Sequence, residues 1–186
     1  MRYTHFMRDT KLKFGAITKL FHWAIALLVL IAICLVYYTK WVLPPHSPTG
    51  GYLINNLHKP IGMTILGLAI LYLIWRFSNT RPSFPSSMQP WEKIAAKLVH
   101  YLLFLSIILM PISGFIMSVA AGYPPNYFDL YQVPQFIQKN EAMAKFFFET
   151  HGIVGNITIA LVAIHLLAAL KHHFINRDDV LTRMLR

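Results

Sequence analysis

Two histidines fourteen residues apart, His151 and His165, occupy the last long apolar stretch of the sequence. At about 100° and 1.5 Å per residue, a helix brings them within roughly 40° of the same face and separates them by about 21 Å along its axis. Their imidazoles then lie near opposite edges of a bilayer core that is about 30 Å thick. Because neutral imidazole is a common metal ligand, this single helix offers one metal-binding group at each edge.

Two other apolar stretches each provide a histidine at a matching depth, since His22 begins the first stretch and His58 begins the second. The alternating direction of successive helices places His22 level with His165, and His58 level with His151. Ionisable groups inside a bilayer are costly and usually functional. We therefore predict two haem b groups: an inner, cytoplasmic-side haem held by the inner pair His22 and His165, and an outer, periplasmic-side haem held by the outer pair His58 and His151. A bis-histidine site has no open position at the iron and carries electrons. The alternative for each histidine alone is an interfacial side chain that reaches water.

Small residues favour the same interpretation. Gly62 follows His58 by four residues and Gly155 follows His151 by four, which leaves room for a flat macrocycle, although small residues also serve plain helix packing. The chain has one cysteine, Cys34, and no Cys-x-x-Cys-His motif, so covalent haem attachment is excluded.

Three further residues are candidate contacts rather than predicted ligands. His100, near the start of the third apolar stretch, either replaces an inner ligand or contacts a haem propionate or a quinone. His172 lies seven residues beyond His165 and only about 20° out of phase with it. It is a candidate quinone or propionate contact, with a solvated helix end as the alternative. Arg76 is a candidate propionate contact, unless it serves topology alone.

The elements that must position these residues are membrane helices. Of the 186 residues, 56% are hydrophobic and 13% are charged, whereas soluble domains average about 25% charged residues. Four stretches are long enough to cross a bilayer as helices: residues 21–42, 57–77, 95–119 and 151–172. We predict an all-α membrane protein with one domain over residues 1–186, a four-helix bundle with the haems between the helices. The first stretch is too long for a cleavable signal peptide.

The charge distribution predicts the orientation. The net charge is +10, and thirteen of the seventeen Lys and Arg residues lie in the N-terminal arm, the connection between the second and third stretches, and the C-terminal tail. By the positive-inside rule, both termini are cytoplasmic. Basicity therefore reflects topology, and we expect no nucleic-acid partner. The other four cations are called the outer lysines: Lys40, Lys59, Lys139 and Lys145. They favour attraction of a small anion, although three acidic residues leave that side near +1.

The connections carry weaker signals. Residues 1–20 form a basic arm with the spacing of an interfacial helix, and residues 78–90 contain three prolines and form an inner loop. The longest connection, 120–150, is external, and its later part, 141–149, is predicted as an amphipathic helix on the membrane surface. Pro111 predicts a kink in the third helix.

Taken together, the histidine motifs resemble the bacterial cytochrome b-561 family over most of the chain. The motifs are Phe21-His22-Trp23, Leu57-His58-Lys59-Pro60-Ile61-Gly62, Val99-His100-Tyr101, Pro111-Ile112-Ser113-Gly114, His151-Gly152, Ile164-His165 and Lys171-His172-His173. The resemblance implies four membrane helices in the bacterial inner membrane, two b haems and electron exchange with ubiquinone. It places the haem ligands on His22, His58, His151 and His165, and a quinone contact on His172. The members that this chain resembles most act as superoxide oxidases.

Three functions follow from these observations. The first is a stand-alone superoxide:ubiquinone oxidoreductase, a monomer in membrane lipid. The second is a cytochrome b membrane anchor that links a dehydrogenase or hydrogenase to the quinone pool, which the short cytoplasmic loops disfavour. The third is a haem-free transporter using membrane histidines, which predicts carboxylates at the bilayer midplane. No Asp or Glu occurs within the four apolar stretches.

Overall fold

The computed structural model describes residues 6–186, most of which are helical. Four helical elements are long and apolar enough to cross a membrane, which confirms the predicted fold class. In chain order the helices are α1 (Ala16–Trp41), α2 (Pro48–Tyr52), a π-helical segment (Leu53–His58), α3 (Lys59–Phe77), α4 (Pro90–Ala120), α5 (Glu141–Lys171), a second π-helical segment (His172–Asn176) and α6 (Thr182–Leu185). Two short strands, β1 (Asn126–Tyr127) and β2 (Tyr131–Gln132), form an antiparallel hairpin in the long connection.

The helix ends follow local capping chemistry more closely than the hydropathy boundaries do. The third span starts at Pro90, before the predicted residue 95, because the Glu92 carboxylate accepts a hydrogen bond of 2.9 Å from the Gln89 backbone in a capping box. Proline also suits the first turn of a helix, where its missing N–H costs nothing. In the second span, α2 and the π-helical segment continue directly into α3. The three form one continuous helical span, Pro48–Phe77, which is called the α3 rod.

The structure corrects two predicted surface helices, one in part and one fully. Residues 141–149 are helical and lead into the fourth span, as predicted, but they do not form a separate surface helix, because α5 runs without a break from Glu141 to Lys171, about 46 Å. No proline or glycine separates the segment from His151, so nothing stops the helix from propagating. The interfacial helix over residues 1–20 also fails, since residues 9–15 are not helical and α1 starts at Ala16. Its first five residues lie outside the described part of the chain.

The order of packing determines how the histidines meet. Among the described residues, α1 packs on α3, α3 packs on α4, and α4 packs on α5. Helix α5 makes at most marginal backbone contact with α1 and α3. Small buried residues on α4, including Ser106 and Ser113, let its neighbours approach closely. The helix with two histidines is therefore supported by α4 and faces α1 and α3 mainly through side chains.

One end of the bundle is closed by three segments that interlock. The backbone N–H of Ser83, in the inner loop, donates to the Lys11 carbonyl at 2.9 Å, and the Arg183 guanidinium donates to the Ser83 carbonyl at 2.7 Å. The indole N–H of Trp23 donates to the Met184 carbonyl at 2.9 Å. The arm, the inner loop and the C-terminal tail thus share one face, the same three segments that carry most of the positive charge.

Candidate functional site

The structure brings the predicted outer pair together. His58 is the last residue of the first π-helical segment, and His151 lies in α5. Their ring centres are 6.2 Å apart, with an angle of 84° between the ring planes. Short π-helical segments are rare and often occur at functional sites. Here the segment ends on the residue that faces His151.

The predicted inner pair also meets. The ring centres of His22, near the start of α1, and His165, towards the end of α5, are 6.1 Å apart, with an interplanar angle of 59°. All four rings are partly exposed rather than enclosed in a packed core. The two pairs lie at two levels of α5, fourteen residues apart, and their depths in a membrane stay a prediction.

The separation within each pair fits a shared metal. A coordinating imidazole nitrogen lies about 2 Å from its metal and about 1.1 Å from the centre of its own ring, so two axial imidazoles place their ring centres roughly 6 Å apart. Both observed separations, 6.1 and 6.2 Å, match this value. Helix α5 makes at most marginal backbone contact with α1 and α3. No close helix–helix contact therefore blocks a flat cofactor between the rings. The residues present therefore fit haem b in both places.

Hydrogen bonds orient both outer rings. The Nδ1 atom of His58 lies 3.2 Å from the carbonyl oxygen of Ala32 on α1, and Nδ1 of His151 lies 2.9 Å from the carbonyl oxygen of Met110 on α4. With Nδ1 protonated, each ring donates to its carbonyl and keeps the Nε2 lone pair for a metal. Histidines that bind metals are commonly fixed in this way. Sequence reasoning missed both partners, because a backbone carbonyl has no signature in the side-chain pattern.

Helix α4 shapes the pocket of His151 without providing a ligand to the outer pair. The Ser113 hydroxyl donates to the Met110 carbonyl at 2.9 Å and lies 3.2 Å from Nδ1 of His151. A Cβ atom on Gly114 would lie 2.9 Å from Cε1 of His151, closer than such contacts allow. Gly114 is thus required for the ring to lie against α4. The motif Pro111-Ile112-Ser113-Gly114 marked this place in the sequence but did not indicate its role.

The two glycines proposed to make room for a macrocycle have different surroundings. A Cβ on Gly62 would meet only Pro111 Cβ at 3.9 Å, so Gly62 lies beside open space. A Cβ on Gly155 would lie 3.4 Å from the terminal methyl of Met110, an ordinary contact. Their role beside a macrocycle stays a prediction.

His100 adjoins the inner pair, as its rival assignment requires. Its ring centre lies 4.9 Å from that of His165, and its Nδ1 lies 2.6 Å from the Ala96 carbonyl oxygen. A separation of 4.9 Å is a direct ring–ring contact, too short for an iron between the two rings by the arithmetic above. The geometry therefore favours His22 as the partner of His165 and leaves His100 as a neighbour of the site.

His172 is buried, with 5% of its surface exposed, so the solvated helix end is wrong. The tail turns back at Arg177, which has a left-handed backbone, and places the Asp178 carboxylate 2.6 Å from Nδ1 of His172. Asn176 also approaches this nitrogen, at 3.1 Å. Contact between His172 and a quinone stays a prediction. The carboxylate partner was missed because only the reversal of the tail brings it there.

Arg76 already has an acidic partner. Its guanidinium lies 3.3 Å from the carboxylate of Asp9, whose side chain is fully buried and also accepts the Gly15 N–H at 2.7 Å. A propionate contact of Arg76 stays a prediction and would use its other N–H groups. Lys171 pairs with the buried carboxylate of Glu92 on α4 in the same end of the bundle. Neither acidic partner was singled out in the sequence.

This arrangement is that of a membrane cytochrome b, with imidazole pairs between apolar helices. A family model of the prokaryotic cytochrome b561 matches residues 13–186, and the chain belongs to that family. It is similar to cytochrome b561 homolog 2 of Escherichia coli K12, with 31% identity over 184 residues, 95% of this chain and 93% of the relative. It also matches cytochrome b561 homolog 1 of the same organism, at 26% identity over 164 residues, 88% of this chain and 92% of the relative. A probable superoxide oxidase CybB of Yersinia pestis is 26% identical over 164 residues, 88% of this chain and 90% of the relative.

Membership settles the coarse function. The chain is a multi-pass membrane protein of a prokaryotic electron-transfer family whose cofactor is haem b. Membership in this family gives no support to the third hypothesis, a haem-free transporter.

Proposed function

We propose that the protein is a di-haem superoxide:ubiquinone oxidoreductase of the bacterial inner membrane, with both termini cytoplasmic and no tightly bound redox subunit. The observation that carries the proposal is the pair of 6 Å imidazole contacts at two depths, with α5 contributing one ring to each. His22 and His165 hold the inner haem, and His58 and His151 hold the outer one. The name of the Yersinia relative supports superoxide as the electron donor.

The proposed reaction balances without an additional oxidant. Two superoxide ions each lose one electron and leave as dioxygen, and ubiquinone takes up the two electrons with two protons to become ubiquinol. Bound haem b supplies one-electron storage at each depth. The protein's own part would be to hold each haem between two imidazoles, fix the orientation of those rings and set the distance between the two pairs, about 21 Å along α5.

The inner end of the bundle has the groups that quinone reduction needs. Protons must reach the quinone oxygens, and His172, seven residues beyond His165, forms a buried pair with Asp178 of the tail. With Nδ1 directed at the carboxylate, the Nε2 atom of His172 is the position that we propose passes a proton to a quinone oxygen. Glu92 and Lys171 form a second charged pair at this end. We infer that ubiquinone binds here rather than at the outer pair.

The haem content tests the first part of the proposal. Purified wild-type protein is expected to contain two haem b per chain, both low-spin and bis-histidine by electron paramagnetic resonance. His58→Ala should remove the outer haem and His22→Ala the inner one, each leaving the other. His46→Ala, an exposed loop histidine outside both pairs, is the control. Two haems retained in either ligand variant would refute the ligand assignment.

Reduction kinetics test the second part. When superoxide is mixed with the purified protein, stopped-flow absorbance should show reduction of the haems. Added ubiquinone should then reoxidise them. A membrane anchor for a dehydrogenase or hydrogenase would stay oxidised under these conditions and accept electrons only from its partner. Absence of haem reduction by superoxide would therefore reject the oxidase and favour the anchor.

A further inference from the structure

A cleft of about 610 Å³ lies at the outer end of the bundle. Its walls come from the start of the α3 rod, the end of α4 and the first turns of α5. They are mostly apolar, with Ile54, Met117 and Phe148 among the lining side chains. The size is that of a pocket for an organic ligand, many times the volume of a diatomic anion or a water molecule.

The cleft begins about one helical turn outward of the outer imidazole pair, and neither His58 nor His151 is among its lining residues. Ile54 precedes His58 by four residues, and Phe148 precedes His151 by three, so each lining residue is on the same side of its helix as the ligand, about one turn further out. Ala144, a further turn out on α5, continues the same face. A large group held between His58 and His151 that extends outwards is therefore within reach of this cleft.

Two cations line an otherwise apolar space. Lys59 is partly buried and its ammonium donates to the Tyr123 carbonyl at 3.1 Å, which leaves two of its N–H groups available. Lys145 lies on the opposite wall, in α5. Within residues 6–186, neither lysine forms an ion pair with a carboxylate, whereas the nearby outer lysine Lys139 pairs with Glu141 at 3.9 Å. A partly buried cation such as Lys59 is costly in an apolar region unless an anion compensates it, whereas Lys145 is exposed and free to move towards a ligand.

We propose that Lys59 and Lys145 hold the propionate carboxylates of the outer haem. The inference rests on the proposed His58–His151 pair. A haem combines a wide apolar body with two carboxylates, and the cleft combines apolar walls with two cations that lack carboxylate partners. A small free anion would neutralise the lysines but leave the apolar walls in contact with water. It therefore fits the cleft less well than a haem does. The outer lysines of the cleft thus belong to cofactor binding rather than only to steering of an anion.

Redox titration of the purified di-haem protein tests the assignment. A cation near a haem stabilises the reduced form, which carries one positive charge less than the oxidised form. Lys59→Gln or Lys145→Gln should therefore lower the ratio of reduced to oxidised outer haem at a fixed potential. We expect about a tenfold fall, the effect of one unit charge at roughly 12 Å in a medium of effective dielectric about 20. Lys145→Arg keeps the charge and should restore the ratio.

Matched controls separate a local contact from the general charge of the outer side. Lys40→Gln and Lys139→Gln remove the same charge from the outer side, at positions that do not line the cleft. They should leave the titration unchanged. Resonance Raman spectra supply a second readout, since the propionate bending band of the outer haem should shift in the cleft variants alone. Because Lys145 is six residues from His151, its variant tests the contact without touching a ligand's neighbour.

Each remaining outcome overturns the inference. An unchanged titration and Raman band in Lys145→Gln would show that the lysine faces no propionate. A shift equal to that of the control lysines would be a general charge effect. A shift that appears only when anionic phospholipid is present would assign the cleft to a lipid headgroup. Wild-type protein without an outer haem would instead refute the proposed function, which distinguishes the two failures.

Discussion

Replacing Gly114 with alanine is expected to remove the outer haem and leave the inner one in place. An added Cβ would lie 2.9 Å from Cε1 and 3.0 Å from Nδ1 of His151. Carbon atoms prefer separations of about 3.5–4.0 Å, so the ring must retreat from α4 by roughly 0.6 Å or more. The helix backbone itself does not suffer, because alanine favours a helix over glycine by about 1 kcal/mol.

The ring cannot make this movement and keep both its hydrogen bond to Met110 and its proposed bond to the haem iron. Its Nδ1 donates to the Met110 carbonyl at 2.9 Å, and metal–ligand distances tolerate only about 0.2 Å of change. Loss of a hydrogen-bond partner of a metal-bound histidine commonly costs 10- to 100-fold in affinity. We expect a loss of at least about that size for the outer haem, because the substitution displaces the ligand as well as its partner.

The assay is the ratio of haem to protein, together with a redox titration that resolves the two haems. Gly114→Ala should approach one haem per chain, with the inner haem titrating as in the wild type. Gly152→Ala is a matched control, since it is next to His151 in the sequence but its added Cβ would have no atom within 4 Å. Two tightly bound haems with unchanged potentials in Gly114→Ala would refute the assignment of His151 as a ligand held against α4.

Three further predictions, made with four substitutions, concern the inner end of the bundle. His100→Ala should keep the inner haem and His22→Ala should lose it, by absorbance of the purified variants; the reverse result would make His100 the ligand. Asp178→Asn should slow haem reoxidation by ubiquinone about tenfold or more, because an amide no longer fixes the tautomer of His172, while haem reduction by superoxide stays unchanged; equal slowing of both steps would indicate a structural role. Asp9→Ala leaves its arginine partner without a counter-charge and should lower the free energy of unfolding by about 3 kcal/mol, measured by denaturation in detergent; an unchanged midpoint would show that the pair is not stabilising.

The sequence was sufficient for the number and approximate position of the spans and for which histidine rings lie close together. Hydropathy depends only on local composition, and the fourteen-residue spacing on one helix converts directly into a distance and an angle. Hydropathy was insufficient at the helix ends, where a capping box at Glu92 and the absence of a helix breaker before His151 moved the boundaries. Hydropathy also did not show that residues 9–15 are not helical and that they place the Asp9 carboxylate against the Arg76 guanidinium.

The contacts that the sequence could not predict are all long-range. The carbonyl of Ala32 reaches His58 from a different helix, and Asp178 reaches His172 only because the tail reverses at Arg177. Such partners depend on the relative position of two elements, which no single stretch of sequence specifies. The most informative local signal was the run from Pro111 to Gly114, whose function became clear only beside His151.

Helix α4 therefore controls the outer site although it contributes none of its proposed ligands. The Met110 carbonyl accepts from both His151 and Ser113, and Gly114 sets how closely the ring approaches. These two restraints act from one side of the ring, and the wall formed by α3 with His58 acts from the other. A change in α4 should alter the outer haem while the inner pair, which lies about 21 Å away along α5, is unaffected. The separation of the two sites on one helix thus makes each pair independently testable by substitutions on the helix behind it.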